Sequence, residues 1–260
     1  MIFVKSLFLN ALMLTLLSKV CAQAYESAPC MCCGNETLKN LLKKEIVAEI
    51  YVHTCGIGCA HLLSSSFLKP SGKAPVNPTK SPDYKPANAD DAAGKDEAYS
   101  IAFDKWSCSY AASMLSDGDV KTAWVEGVAG YGEGEIVIAP NIDLNASVEI
   151  HSGFGKSESL HKANSRPKTI QIHIVRATPK SGGASQCGTS YEKLSIVASK
   201  RAVLNDVNQF QPLVIPAFTR ETYLMDGQNW DYTYWLMIEI VDVYPGMKYQ
   251  DTCISEIRNR

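Results

Sequence analysis

The sequence has 260 residues, of which 46% are hydrophobic and 20% charged, with a formal net charge of −2. That is enough chain and enough apolar content for one or two cored domains, and it excludes wholesale disorder and a collagen-like repeat. A pI near 6.2 leaves no chain-wide field to recruit nucleic acid, which is not an expected partner.

The N-terminus reads as a secretory signal, assigned to residues 1–24. Lys5 supplies a basic start, Leu7 to Leu17 is apolar apart from Asn10 and Thr15, and Ala22-Gln23-Ala24 offers a small-x-small cleavage site. The apolar run is short for a bilayer-spanning helix, which needs ~20 residues; a retained anchor is the alternative. Lys19-Val20 is a poor approach to a lipidated Cys21. The mature chain is expected to have no transmembrane segment and to be secreted, periplasmic or held at the cell surface.

Cleavage leaves eight of the nine cysteines: Cys30, Cys32, Cys33, Cys55, Cys59, Cys108, Cys187 and Cys253. An even set in an exported chain favours disulfides. Five lie early and three late, so complete pairing needs at least one bridge between the two groups. The alternative is a metal cluster of the early cysteines with His53 and His61, although the spacing matches no familiar zinc finger. A redox or tethering thiol is a third reading.

Asn35 is placed to cap a helix running towards Val52, with Leu38, Leu41, Leu42, Ile46 and Ile50 at three-and-four spacing. Flanked by cysteines, residues 25–67 read as a small stapled helical module, or as a helix covering part of a larger domain. Residues 68–97 read as a linker and domain boundary. Five of the twelve prolines fall between Pro70 and Pro86, and an Asn/Ala/Asp-rich stretch follows with little to bury.

From residue 98 to 260 the pattern has period two. Glu135 to Ile138, Val148 to His151, Thr169 to Ile174 and Leu236 to Ile240 alternate or run apolar between Gly, Asn, Asp and Pro clusters. Leu194 to Val197 and Leu213 to Ile215 are weaker strands. No long helical pattern intervenes, and the fold class is mainly β, an antiparallel β-sandwich. His151 and His173 are expected on outward strand faces, and Trp124, Trp235 and Tyr244 in the core.

Four ordered blocks are more specific. They are Asp117-Gly118-Asp119 through Thr122-Ala123-Trp124-Val125-Glu126-Gly127 to Gly134-Glu135; Gly153-Phe154-Gly155-Lys156-Ser157; Asn164-x-Arg166-Pro167-Lys168; and Val243-Tyr244-Pro245-Gly246 through Lys248-Tyr249 to Asp251-Thr252-Cys253-Ile254-Ser255-Glu256-Ile257. Residues 99–260 thereby resemble the NADase-type glycan-binding domain family, discoidin-like (coagulation factor type C-like) jelly rolls of exported bacterial proteins. That family is similar to the translocation domain of a secreted NAD glycohydrolase. The resemblance implies a galactose-binding-like jelly roll and glycan binding without NAD cleavage. It does not extend to residues 25–67.

The resemblance also implies a structural calcium ion in the Asp117-Gly118-Asp119 loop with Thr122, joined by Glu256 near the C-terminus. A tight glycine turn with Asp and Thr oxygens suits a hard cation, and turn capping by Asp119 and Thr122 is the alternative. Jelly rolls of this kind bring their ends together, which implies a Cys108–Cys253 bridge, with Cys187 reaching the early module. Sugar binding needs an aromatic face and a few fixed polar groups; Trp106, Tyr110, Tyr131, His161, Asn164 and Arg166 are the candidates. Arg166 has an alternative in a buried carboxylate such as Glu126.

No Gly-x-Ser-x-Gly, His-Glu-x-x-His or phosphate loop occurs, so the chain is not expected to be an enzyme. Glycans are the expected partners. The alternative is an envelope-structural or protein-interaction module with an envelope or host protein as partner, docking through the cysteine-rich segment.

Overall fold

A computed structural model of the chain describes residues 34–45, 47–53, 63–185 and 188–260. The signal segment, His61, and the expected disulfide cysteines Cys30, Cys32, Cys33, Cys55, Cys59 and Cys187 lie outside these residues. So does most of the alternative metal cluster.

Asn35 does cap a helix, its side chain accepting the Thr37 amide at 3.2 Å, but the helix is a short 3-10 helix, Glu36–Lys43. Lys44 takes a left-handed φ of 61° and its amide closes on the Asn40 and Leu41 carbonyls, which ends the helix. The next segment is rich in β-branched and aromatic residues, and forms strand β1 (Val47–His53) rather than continuing helically.

The alternating segments form the expected strands. In chain order these are β2 (Trp124–Val125), β3 (Ile136–Ala139), β4 (Val148–Ser152), β5 (Arg166–Ser185), β6 (Gly188–Val203), β7 (Gln211–Leu213), β8 (Thr222–Met225), β9 (Gln228–Asp231), β10 (Thr233–Tyr244) and β11 (Cys253–Asn259). A five-stranded sheet runs β1-β6-β5-β10-β3, a four-stranded sheet runs β2-β11-β4-β7, and β8-β9 is a separate hairpin. All these pairings are antiparallel.

Ile170, Ile172 and Ile174 of β5 and Leu236, Ile238 and Ile240 of β10 share one buried cluster with Trp124, Ile150, Ile254 and Ile257 of the other sheet. This is the sandwich core. Each such side chain contributes about 1.5–3 kcal/mol by leaving water. Trp124 is fully buried and donates its indole N–H to the Ser66 carbonyl at 3.0 Å. Trp235 is buried too, while Tyr244 is half-buried with its hydroxyl donating to the Leu204 carbonyl.

The early segment belongs to this same core. Leu38, Leu41, Val47, Ile50, Leu63 and Phe67 join the cluster, and β1 pairs with β6 from Val47↔Leu194 to His53↔Gly188. Glu135, 1% exposed, fastens the junction: its carboxylate accepts from the Ser65 and Ser66 hydroxyls at 2.6 Å each and pairs with Lys39. The segment that read as a stapled module therefore supplies an edge strand and a cover to the sandwich.

Helix α1 (Ala89–Ser107) begins inside the stretch read as linker, with Asn88 accepting the Asp91 amide at 2.8 Å as its N-cap. Only Phe103 and Ser107 are buried along it, and Ile101 is exposed. A helix with so thin an apolar stripe leaves no periodic signature. Before it, Asn77 and Thr79 both donate to Asp96, which ties the proline-rich turn to the helix. A short helix α2 (Glu158–Ala163), capped by Ser157, lies between the two sheets in sequence. No helix among the described residues is long and apolar enough to cross a membrane.

Candidate functional site

The loops beside β2 and β11 border an open cavity of about 380 Å³. Three aromatic side chains line it, Tyr110, Phe154 and Tyr249, together with the polar groups of Ser71, Asn164 and Asp251. Its parts come from segments far apart in sequence, each held by backbone hydrogen bonds. Tyr110 follows α1 and its carbonyl accepts from Val125 of β2. The residue 245–249 loop is strapped to the end of α2, Met247 donating to the Lys162 carbonyl and Lys248 and Tyr249 to that of Ala163. Gly246 permits that approach, because a Cβ there would sit 2.4 Å from the Tyr249 carbonyl oxygen and 2.5 Å from the Asn164 backbone.

The floor of the cavity is Cys253. Its thiol is buried and free, and burial, reinforced by the nearby Asp251 and Glu126 charges, pushes its pKa up. The expected Cys108–Cys253 bridge is therefore not formed, although Cys108 is itself disulfide-bonded. Cys253 sits in β11 opposite Val125 of β2, inside a small apolar cluster with Ala123, so it packs as a small hydrophobe.

Of the six residues expected to contact sugar, Tyr110 and Asn164 reach this cavity. Trp106 stands beside it, its indole N–H donating to the carbonyl of the lining residue Ser71 at 3.2 Å. The other three have structural work. His161 is 2% exposed, packs against Gly153, and is pushed down in pKa by burial and then by the Arg166 charge. Arg166, also buried, clamps Asp206 through two hydrogen bonds of 2.5 and 2.6 Å. Tyr131 packs on the core and its carbonyl accepts from the Thr252 hydroxyl. Arg166 does not pair with Glu126, whose carboxylate instead accepts the Val128 and Thr252 amides. Burial raises Glu126 to a pKa of about 7.

The proposed cation loop does come together. Asp117 accepts from the Asp119 amide at 2.9 Å and the Thr122 hydroxyl at 2.7 Å, and Glu256 accepts from the Gly118 amide at 3.1 Å. Gly118 holds a φ of 81°, which a side chain would strain. Burial and then the Asp117 charge raise Glu256 to a pKa of about 7. Two carboxylates side by side with no cationic partner in their hydrogen-bond set attract either a proton or a metal ion. Among the described residues no three His, Cys, Asp or Glu side chains form a metal-holding group, so any cation here would depend on backbone and hydroxyl oxygens as well.

A family model described as NAD glycohydrolase translocation F5/8 type C domain matches residues 89–259. The chain belongs to this family. The match spans more than half of the chain and begins at α1, and it agrees with the sandwich and its jelly-roll-like sheets. No curated protein and no solved structure matches the chain. An F5/8 type C domain is a discoidin-like module of the kind that binds carbohydrate or protein, which makes the aromatic cavity the place to look for a ligand.

Sequence reasoning named the blocks that hold Phe154, Tyr249 and Asp251 without naming these residues as contacts. The available signal was aromatic residues next to glycine turns, Gly153-Phe154-Gly155 and Gly246-x-x-Tyr249. The two histidines expected on outward faces are both buried: His151 is 4% exposed, with its pKa lowered by burial, and His173 is 6% exposed.

Proposed function

We propose that this chain is an exported glycan-binding protein, and that its sugar site, which carries out no catalysis, is the cavity between Tyr110, Phe154 and Tyr249. The observation that carries this reading is the combination on its walls. Three rings offer apolar faces for a pyranose, while Asn164 and Asp251 offer a donor and acceptors for hydroxyls. Asp251 as the lining charge favours neutral or basic sugars over sialylated or sulfated ones, because a second anion would face it unpaired.

The Asp117 loop is a calcium site in this reading, with Asp117, Thr122 and Glu256 as side-chain ligands and Asp119 as support. A hard cation supplies the positive charge that buried Glu256 and its exposed neighbour Asp117 lack. Export follows cleavage near Ala24; with Cys253 free, the other seven cysteines of the mature chain supply three disulfides, one of them through Cys108, and leave one further thiol. N-terminal sequencing of the mature protein checks the cleavage site.

The test is a glycan array probed with the full oxidised chain, with and without a chelator. Tyr249 is 40% exposed, so Tyr249→Ala leaves the fold intact and is expected to lower sugar affinity at least tenfold, as is Asp251→Asn. A folded wild-type protein that binds no glycan would reject the reading. A second reading, protein recognition, is favoured by one observation: the β8-β9 hairpin presents Leu224 at 73% and Trp230 at 46% exposure. Binding to a cell surface that survives deglycosylation and is lost in Leu224→Ser would favour it.

A further inference from the structure

On the face of the five-stranded sheet turned towards the 3-10 helix, away from Ile172 and Ile174, three strands bring three polar residues into line. Ser199 of β6 lies directly across from His173 of β5, and His173 lies beside β10, which carries Glu239. The Ser199 hydroxyl is 2.7 Å from His173 Nδ1, and His173 Nε2 is 2.9 Å from a Glu239 carboxylate oxygen. An ionised carboxylate only accepts, so Nε2 carries the proton and Nδ1 is left as acceptor for the serine O–H. Ser199 is exposed while the histidine and glutamate side chains are only 7% and 22% exposed. That is an accessible nucleophile, a general base and a group that orients the base.

These residues line a separate cavity of about 450 Å³, roofed by the 3-10 helix. Leu41, Leu42 and Ile196 make its apolar wall, and Lys44 and Glu45 its charged rim. Ser195 also lines it, four positions along β6 from Ser199, or roughly 10–13 Å at the usual strand rise. Its hydroxyl is buried and has no partner, which marks a place for a polar substrate atom.

We propose that this cavity is a second, catalytic site that hydrolyses carboxylic esters, with Ser199 as nucleophile, His173 as general base and Glu239 as positioning residue. Ser199 Oγ bonds to the ester carbonyl carbon as its proton passes to His173 Nδ1. Collapse breaks the ester C–O bond, and the leaving alkoxide takes that proton and departs as the alcohol. Water then attacks the acyl-serine with His173 again as base, releasing the carboxylic acid and restoring Ser199. The apolar wall of leucines and isoleucine receives the acyl chain.

The test uses the full oxidised chain with p-nitrophenyl butyrate and a fluorophosphonate probe, the labelled residue being mapped by peptide mass spectrometry. Turnover above the no-protein rate and an adduct on Ser199 are expected. Ser199→Ala, at an exposed position, should abolish both. Glu239→Gln should lower kcat on the order of a hundredfold while leaving KM within about twofold, which a merely structural glutamate would not do. Turnover that persists in Ser199→Ala, or a folded wild type with neither turnover nor an adduct on Ser199, overturns the proposal. Because Tyr249 and Asp251 line the other cavity, their substitution should leave ester hydrolysis unchanged, so loss of sugar binding and loss of hydrolysis are separable.

Discussion

At the scale of single residues, two buried acids and one buried thiol depart from their ordinary chemistry. Cys253 is free, buried, and held protonated by its apolar surroundings and by neighbouring negative charge. A thiol that stays protonated is neither nucleophile nor metal ligand. It should not react with a disulfide reagent in the native protein and should react stoichiometrically once the chain is unfolded without reductant; rapid native labelling of Cys253 would show a more open β11. Glu256 sits at a pKa of about 7 against an ordinary 4.5. A carboxyl raised on folding keeps its proton in the folded chain while the unfolded chain loses it, so stability falls as pH rises between about 4.5 and 7 and is lowest above that window. The cost is on the order of 3 kcal/mol. In chelator, the melting temperature should therefore fall from pH 5 to pH 8. Glu256→Gln, which can still accept from Gly118, should reduce that slope and leave the part due to Glu126, and calcium should restore the wild type at pH 8. A wild-type slope identical with and without calcium would remove the ion from the loop.

Individual elements differ in how plainly the sequence announces them, and the reason is what each one buries. Strands such as β5 and β10 place isoleucines on the core face at every second position, and their alternation is legible. Helix α1 buries only two residues, so composition dominated its reading. Strand β1 followed a helical leucine pattern, and only pairing with β6 shows where that pattern stops. The candidate sites obey the same logic. Tyr110 and Asn164 are legible as aromatic and polar loop residues, but their meeting with Phe154 and Tyr249 depends on the strap between the residue 245–249 loop and α2. Ser199, His173 and Glu239 are 26 and 66 residues apart, and only sheet register brings them together. The 3-10 helix is the element with the most consequences, since it covers the outer face of the sheet and roofs the second cavity. Leu41→Ala there is expected to cost about 2–5 kcal/mol, and guanidinium unfolding would measure it. Glu135→Ala should be as severe, because it leaves the Ser65 and Ser66 hydroxyls and the Lys39 ammonium without their shared acceptor.

For the whole molecule, the question is whether the family domain stands alone. The match begins at residue 89, and a fragment from there to Arg260 contains ten of the eleven strands. It lacks β1, the 3-10 helix and the segment that carries Leu63, Phe67 and the two serines bound to Glu135. Removing them uncovers Val137, Leu194 and Met237, all fully buried in the intact chain, and unpairs the β6 edge from Gly188 to Leu194. An uncovered strand edge beside an apolar face favours association between copies. It also leaves Glu135 buried at a junction with no donors from the missing segment. The fragment 89–260 is therefore expected to be at least 15 °C less stable than the full oxidised chain, or to aggregate, whereas the segment added back on one chain restores a single cooperative transition. Differential scanning calorimetry of both proteins decides it. Equal melting temperatures would mean that the early segment rests on the sandwich without supporting it, and glycan binding could then be studied on the fragment alone.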